Sequence, residues 1–206
     1  MNHPLKTFLY RDLHAPFSTL AGAGFIVMSS SRLAFGLVAA AALLWVYNLT
    51  MAAVFFARPI YPAIGKKITL IFLTSLLGSG FLLLLWLASP LLAMEMAYII
   101  LLAPCYAAGS PLFSQLKSSE ISPLLLKASA EAGSIGLLII AFSLIREPIG
   151  FMALSLPGGV QGLIELFQYF EGDAFLPIKI IPSSAGALLL LGYGAALFRS
   201  IRKPGS

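Results

Sequence analysis

Few side chains here could do chemistry, and those few stand in apolar surroundings. The single cysteine, Cys105, lies in Ala103-Pro104-Cys105-Tyr106-Ala107-Ala108-Gly109, directly after a proline in a hydrophobic run. It reads in one of two ways: a small buried apolar side chain, or a thiolate ligand presented by an interrupted helix. One cysteine allows no internal disulfide and no metal site built from cysteines of this chain alone. An iron–sulfur cluster takes four protein ligands, usually cysteines, so the others would come from another subunit. Two carboxylates, Glu95 and Glu131, stand at or in apolar segments, where an ionisable group is costly and is by default a functional hypothesis. Glu95 falls near a segment boundary and reads as a solvated head group. Glu131 follows Lys127 by four residues, the spacing of a helical ion pair. It is either a local pair near the inner end of its helix or a station on an ion path. Asn48 and Thr50 sit inside an apolar segment and suit helix–helix hydrogen bonding. No Ser-His-Asp set, zinc-ligand spacing, paired catalytic carboxylates or nucleotide-binding glycine motif can be assembled, and both histidines, His3 and His14, are near the N-terminus. A self-contained active site of the soluble type is therefore not expected.

The elements that must position these residues follow from composition. Of 206 residues, 59% are hydrophobic and only 10% charged, with a mean hydropathy of +0.95. Ordinary soluble domains carry about 25% charged residues. The chain has too few polar residues to cover a soluble fold, which leaves a polytopic membrane protein. At about 20 residues per crossing, there is room for about six spans. Six apolar segments can be delimited, at about 15–28, 33–57, 68–89, 91–109, 123–145 and 180–198. The first is short and glycine-containing. The fourth is interrupted by Glu95 and Pro104, and Arg146-Glu147-Pro148 is expected to end the fifth. Small-residue runs at 128–130 and 133–136, and Gly186, Gly192 and Gly194, suit close helix packing. In the long connection between segments five and six, 163–170 reads as a short interfacial helix. The N-terminus lacks the pattern of a cleaved signal peptide.

Basic residues give an orientation. With the N-terminus inside and six crossings, ten Lys and Arg fall inside and only Arg32, Arg146 and Lys179 fall outside. That is a strong positive-inside bias, with both termini cytoplasmic. Segments one and four, both weak and broken, are three apart, so the second half would be inserted upside down relative to the first. The expected fold is all-α: one polytopic membrane domain over 1–206, made of two inverted three-helix repeats, about 13–89 and 91–200. The paired half-helices, segments one and four, would meet near mid-membrane.

Three short motifs carry a resemblance. Cys105-Tyr-Ala-Ala-Gly109 resembles the Asn-Cys-Ala-Ile-Leu-Gly stretch of the Rnf/Nqr membrane-subunit family. Ile145-Arg146-Glu147-Pro148-Ile149-Gly150 is similar to that family's Ile-Arg-Glu-Ile-Leu-Gly, the most specific of the three. The lead into segment six, Pro182-Ser-Ser-Ala-Gly186, resembles the RnfE/NqrD-type subunit. The resemblance implies a subunit of a redox-driven, ion-translocating electron transport complex in a bacterial cytoplasmic (inner) membrane. Such a subunit pairs with a homologous, inverted RnfA/NqrE-type partner and works with further flavin or iron–sulfur subunits. It also implies a shared [2Fe–2S] cluster, with Cys105 as metal and cofactor ligand. The sequence departs from the family where the first-segment cysteine should be: Ala21-Gly22-Ala23-Gly24-Phe25 stands there instead. The cluster would then use another ligand, draw an extra one from the partner, or be lost. The rival expectations are a small secondary transporter without a redox centre, and a structural membrane anchor.

Overall fold

A backbone in hydrocarbon must satisfy its N–H and C=O groups within its own segment, so each apolar run is expected to be helical. The computed structural model describes residues 16–57, 66–114, 121–168, 181 and 183–202. Among them, six helices coincide with the six apolar segments: α1 (Pro16–Ser29), α2 (Leu33–Phe56), α3 (Lys66–Ala88), α4 (Pro90–Ala108), α5 (Ile121–Phe151) and α6 (Ser184–Arg202). Four are long and apolar enough to cross a membrane: α2, α3 over Ile68–Ala88, α4 and α5. The chain thus has the architecture of a mostly helical, multi-pass membrane protein. Helix α1 has 14 residues, or about 21 Å, short of a hydrocarbon layer of about 30 Å. In α6 the apolar run continues to Phe198 and is followed by Arg199 and Arg202.

Three sequence expectations need correction. The stretch beginning at Leu163 is a strand, not an interfacial helix: β1 (Ala153–Pro157) and β2 (Leu163–Gln168) form a short antiparallel hairpin in an otherwise helical fold. Its connection contains Gly159 and Gly162 at φ +60° and +81°, a backbone region that only glycine enters freely. Helix α4 is not broken either. It runs unbroken through Glu95 and Pro104. A proline removes one i→i−4 bond, and the Pro104 ring fills the space where Gly78 of α3 has no side chain. Third, α5 passes Arg146-Glu147-Pro148 and stops only at Phe151, because both charged side chains turn inward and find partners. The 3-10 turn Pro111–Ser114 follows α4.

Lipid offers no hydrophobic drive between helices, so close backbone approach must hold them. Helices α2 and α5 pack antiparallel, with Gly36 against Ser143, Ala40 against Gly136 and Asn48 bonded to Ser129. A Cβ on Gly136 would lie 2.9 Å from that of Ala40, whereas one on Gly133 would meet nothing within 4 Å. Helix α4 packs against α2 and α3, and short α1 packs against α4, with Gly22 under the Tyr106 ring. The buried core gathers Phe25, Leu43, Met51, Leu92, Ile100 and Ile139.

Contacts also set levels along the bundle. Gly78 is the middle residue of the Ile68–Ala88 window, so Pro104 packs at the mid-height of α3. Tyr47 lies close to the middle of α2 (Leu33–Phe56) and bonds Glu131. Ser110, just past the end of α4, bonds the same carboxylate. Helix α4 therefore enters from one side and ends near mid-height, while α2 continues nine residues past Tyr47 and α5 begins ten residues before Glu131.

Candidate functional site: a buried polar line along helix α5

Helix α5 carries two buried charged groups of residues, 15 residues apart from Glu131 to Arg146, or about 22 Å along the axis. The outer one closes the α1–α2 junction. Arg146 has no exposed surface. Its Nη1 donates to the Val27 carbonyl at 3.0 Å and to Ser30 Oγ at 2.5 Å. Its Nε donates to the Ile181 carbonyl and its Nη2 to the Ser183 carbonyl, each at 3.2 Å. These acceptors belong to the C-terminal turn of α1 and to the entry of α6. A helix end leaves carbonyls without intrahelical partners, and a cation there also suits the helix dipole. Glu147 is 1% exposed, and its Oε2 accepts the Leu33 N–H at 2.8 Å. Arg32, the residue that caps α2, offers no side-chain bond, so Glu147 acts as the N-cap from a distant part of the chain. The Arg-Glu motif is thereby a fastening of helix ends, with the cation at a C-terminus and the anion at an N-terminus. Arg32 itself lies over the Phe151 ring at 5.0 Å.

The inner group lies near mid-height. Glu131 is 5% exposed. Its Oε1 accepts Ser110 Oγ–H at 2.6 Å and Tyr47 O–H at 3.2 Å. Ser110 Oγ also accepts the Leu112 N–H at 3.2 Å, which fixes the turn after α4. Rings of Phe113 and Tyr106 flank Tyr47, at 5.5 and 6.4 Å between centroids. Two residues before Glu131, Ser129 Oγ donates to Asn48 Oδ1 at 2.8 Å. Lys127 is exposed, while Glu131 turns into the bundle. Asn48 makes the interhelical bond expected of it, and Thr50 Oγ1 is buried with no hydrogen-bond partner.

Cys105 is exposed on the surface of this chain rather than buried in its core. Its Sγ lies 3.8 Å from the Leu101 carbonyl of its own helix. One residue after Pro104, the thiol faces outward near mid-height. Glu95 is also exposed, five residues into α4. Among the described residues, no three His, Cys, Asp or Glu side chains come together as a metal site. The described residues thus do not by themselves fit an iron–sulfur cluster: one thiol is present where four ligands are needed.

The partners of these groups were not foreseeable one by one. Tyr47, Ser110, Ser30 and the Leu33 N–H are the missed participants. Of these only Tyr47 left a trace, standing next to Asn48 and Thr50 in a polar break of segment two. No family model, no curated protein and no solved structure matches this chain.

Proposed function

We propose that the chain is a membrane subunit of an Rnf/Nqr-like redox-driven complex, in the place of the RnfE/NqrD-type subunit. In that place it would help carry electrons across the bilayer beside a homologous, inverted partner. The observation that carries this reading is the position of Cys105, whose thiol is exposed on α4 directly after Pro104, the residue that packs on Gly78 at the middle of α3. A redox group shared between subunits would have to be met at such a place. Short α1 lies against α4, so the first and fourth segments are neighbours in the bundle. A [2Fe–2S] cluster would hang on Cys105 only with the remaining ligands from the partner subunit. In this reading the redox site is completed only in the assembled complex.

The test uses the complex purified with its native partners and rebuilt in vesicles. The variant Cys105→Ala should assemble normally and lose donor-driven ion movement. Retained movement would contradict the reading. The second reading, a secondary transporter without a redox centre, is favoured by one observation, the buried Glu131 near mid-height. Solute uptake by the chain alone in vesicles, with no iron in the complex, would select it.

A further inference from the structure

The geometry points to Glu131 as an exchangeable site for a small monovalent cation, a proton or a sodium ion. This deepens the ion-moving half of the proposed function and is independent of its iron–sulfur half. Three oxygens from three separate elements converge there: the Glu131 carboxylate of α5, the Tyr47 hydroxyl of α2 and the Ser110 hydroxyl of the turn after α4. Oxygen donors of this kind suit hard cations. Ser110 stands just past the end of α4, so the turn that follows this helix and the buried carboxylate of α5 meet inside the chain. Ionisable groups inside membrane bundles mark ion and proton pathways.

The titratable and charged groups around it among the described residues are these. Tyr47 faces it from α2, and Tyr106 from α4 lies against Tyr47. Lys127, on its own helix, is exposed. The Asn48–Ser129 pair is neutral. Arg146 and Glu147 are about 22 Å away along α5 and bind helix ends. Hydroxyls can turn: each donates its hydrogen to an ionised carboxylate, or offers its lone pairs to a bound cation. A carboxyl used only to hold three elements together needs neither state to be reversible.

A hydrophobic carbodiimide distinguishes the possibilities, because it modifies only a protonated carboxyl and reaches the membrane interior. The intact membrane-embedded chain is treated across a pH series, with and without sodium chloride, using potassium chloride as the ionic control. Peptide mass spectrometry then reads the label at Glu131. Labelling that falls as pH rises, indifferent to sodium, assigns a proton. Labelling that sodium but not potassium suppresses at fixed pH assigns sodium. No label at Glu131 under any condition, with label elsewhere on the chain, overturns the proposal. The variant Glu131→Gln keeps an oxygen acceptor for Ser110 and Tyr47. It should leave assembly and thermal stability of the complex unchanged and abolish ion movement. Ion movement at the wild-type rate in Glu131→Gln also overturns the proposal. Cys105→Ala should label at Glu131 as wild type does, so failure of the redox reading and failure of this one are told apart.

Discussion

Charge and hydrogen bonding can be separated at Glu147. Replacing it with alanine leaves the Leu33 N–H buried without its acceptor, a loss of about 1–3 kcal/mol. Glu147→Gln keeps an oxygen in place and should lose clearly less in thermal unfolding of the detergent-solubilised protein. Equal losses would mean that charge, not the hydrogen bond, holds the α2 N-terminus. Arg146 allows a second comparison. Its guanidinium reaches Val27, Ser30, Ile181 and Ser183 in three directions at once. A lysine ammonium cannot reproduce that planar fork. Arg146→Lys is therefore expected to lose on the order of 3 kcal/mol, the scale for breaking a buried charged network. At the inner group, Ser110→Ala should cost more than Tyr47→Phe, because the serine bond is the shorter, 2.6 against 3.2 Å, and also fixes the turn through Leu112. The same unfolding midpoints decide the order.

At the scale of elements, the α2–α5 contact depends on the absence of side chains. Gly136→Val would force bulk into Ala40, and overpacking of this kind costs about 1–3 kcal/mol. Gly133→Val, three residues away with open space beside it, should be close to neutral. Equal destabilisation in the two variants would show that glycine acts here through helix propensity rather than contact. The positions of the helices were legible in the sequence, because long apolar runs bounded by charges and prolines have few alternatives in a membrane. Pro104 and Pro148 misled about continuity. A proline costs one hydrogen bond and a steric adjustment, and Gly78 gives the Pro104 ring room. The hairpin was missed because a short apolar run such as Leu163–Gln168 has no periodicity that separates strand from helix. The inward turn of Glu131 was illegible for another reason. Ser110 and Tyr47 are 21 and 84 residues away in sequence, and spacing along α5 shows only Lys127.

For the molecule as a whole, the two charged groups on α5 divide the bundle into an outer fastening of helix ends and a polar centre at mid-height. The basic residues give an expected orientation that can be tested. Topology reporters placed at 60–64 should report the cytoplasm, and reporters placed at 171–175 the opposite side. The reverse result would overturn the charge-based orientation while leaving the packing untouched. The thiol of Cys105 is exposed on the surface of the chain, whereas the carboxylate of Glu131 is turned into the chain's own interior. The most direct test of the redox role is the low-temperature EPR spectrum of the reduced, intact complex, recorded for wild type and Cys105→Ala. A [2Fe–2S] signal that disappears or changes shape in the variant is the expected result. A signal identical in both, or none in the wild type, would contradict it.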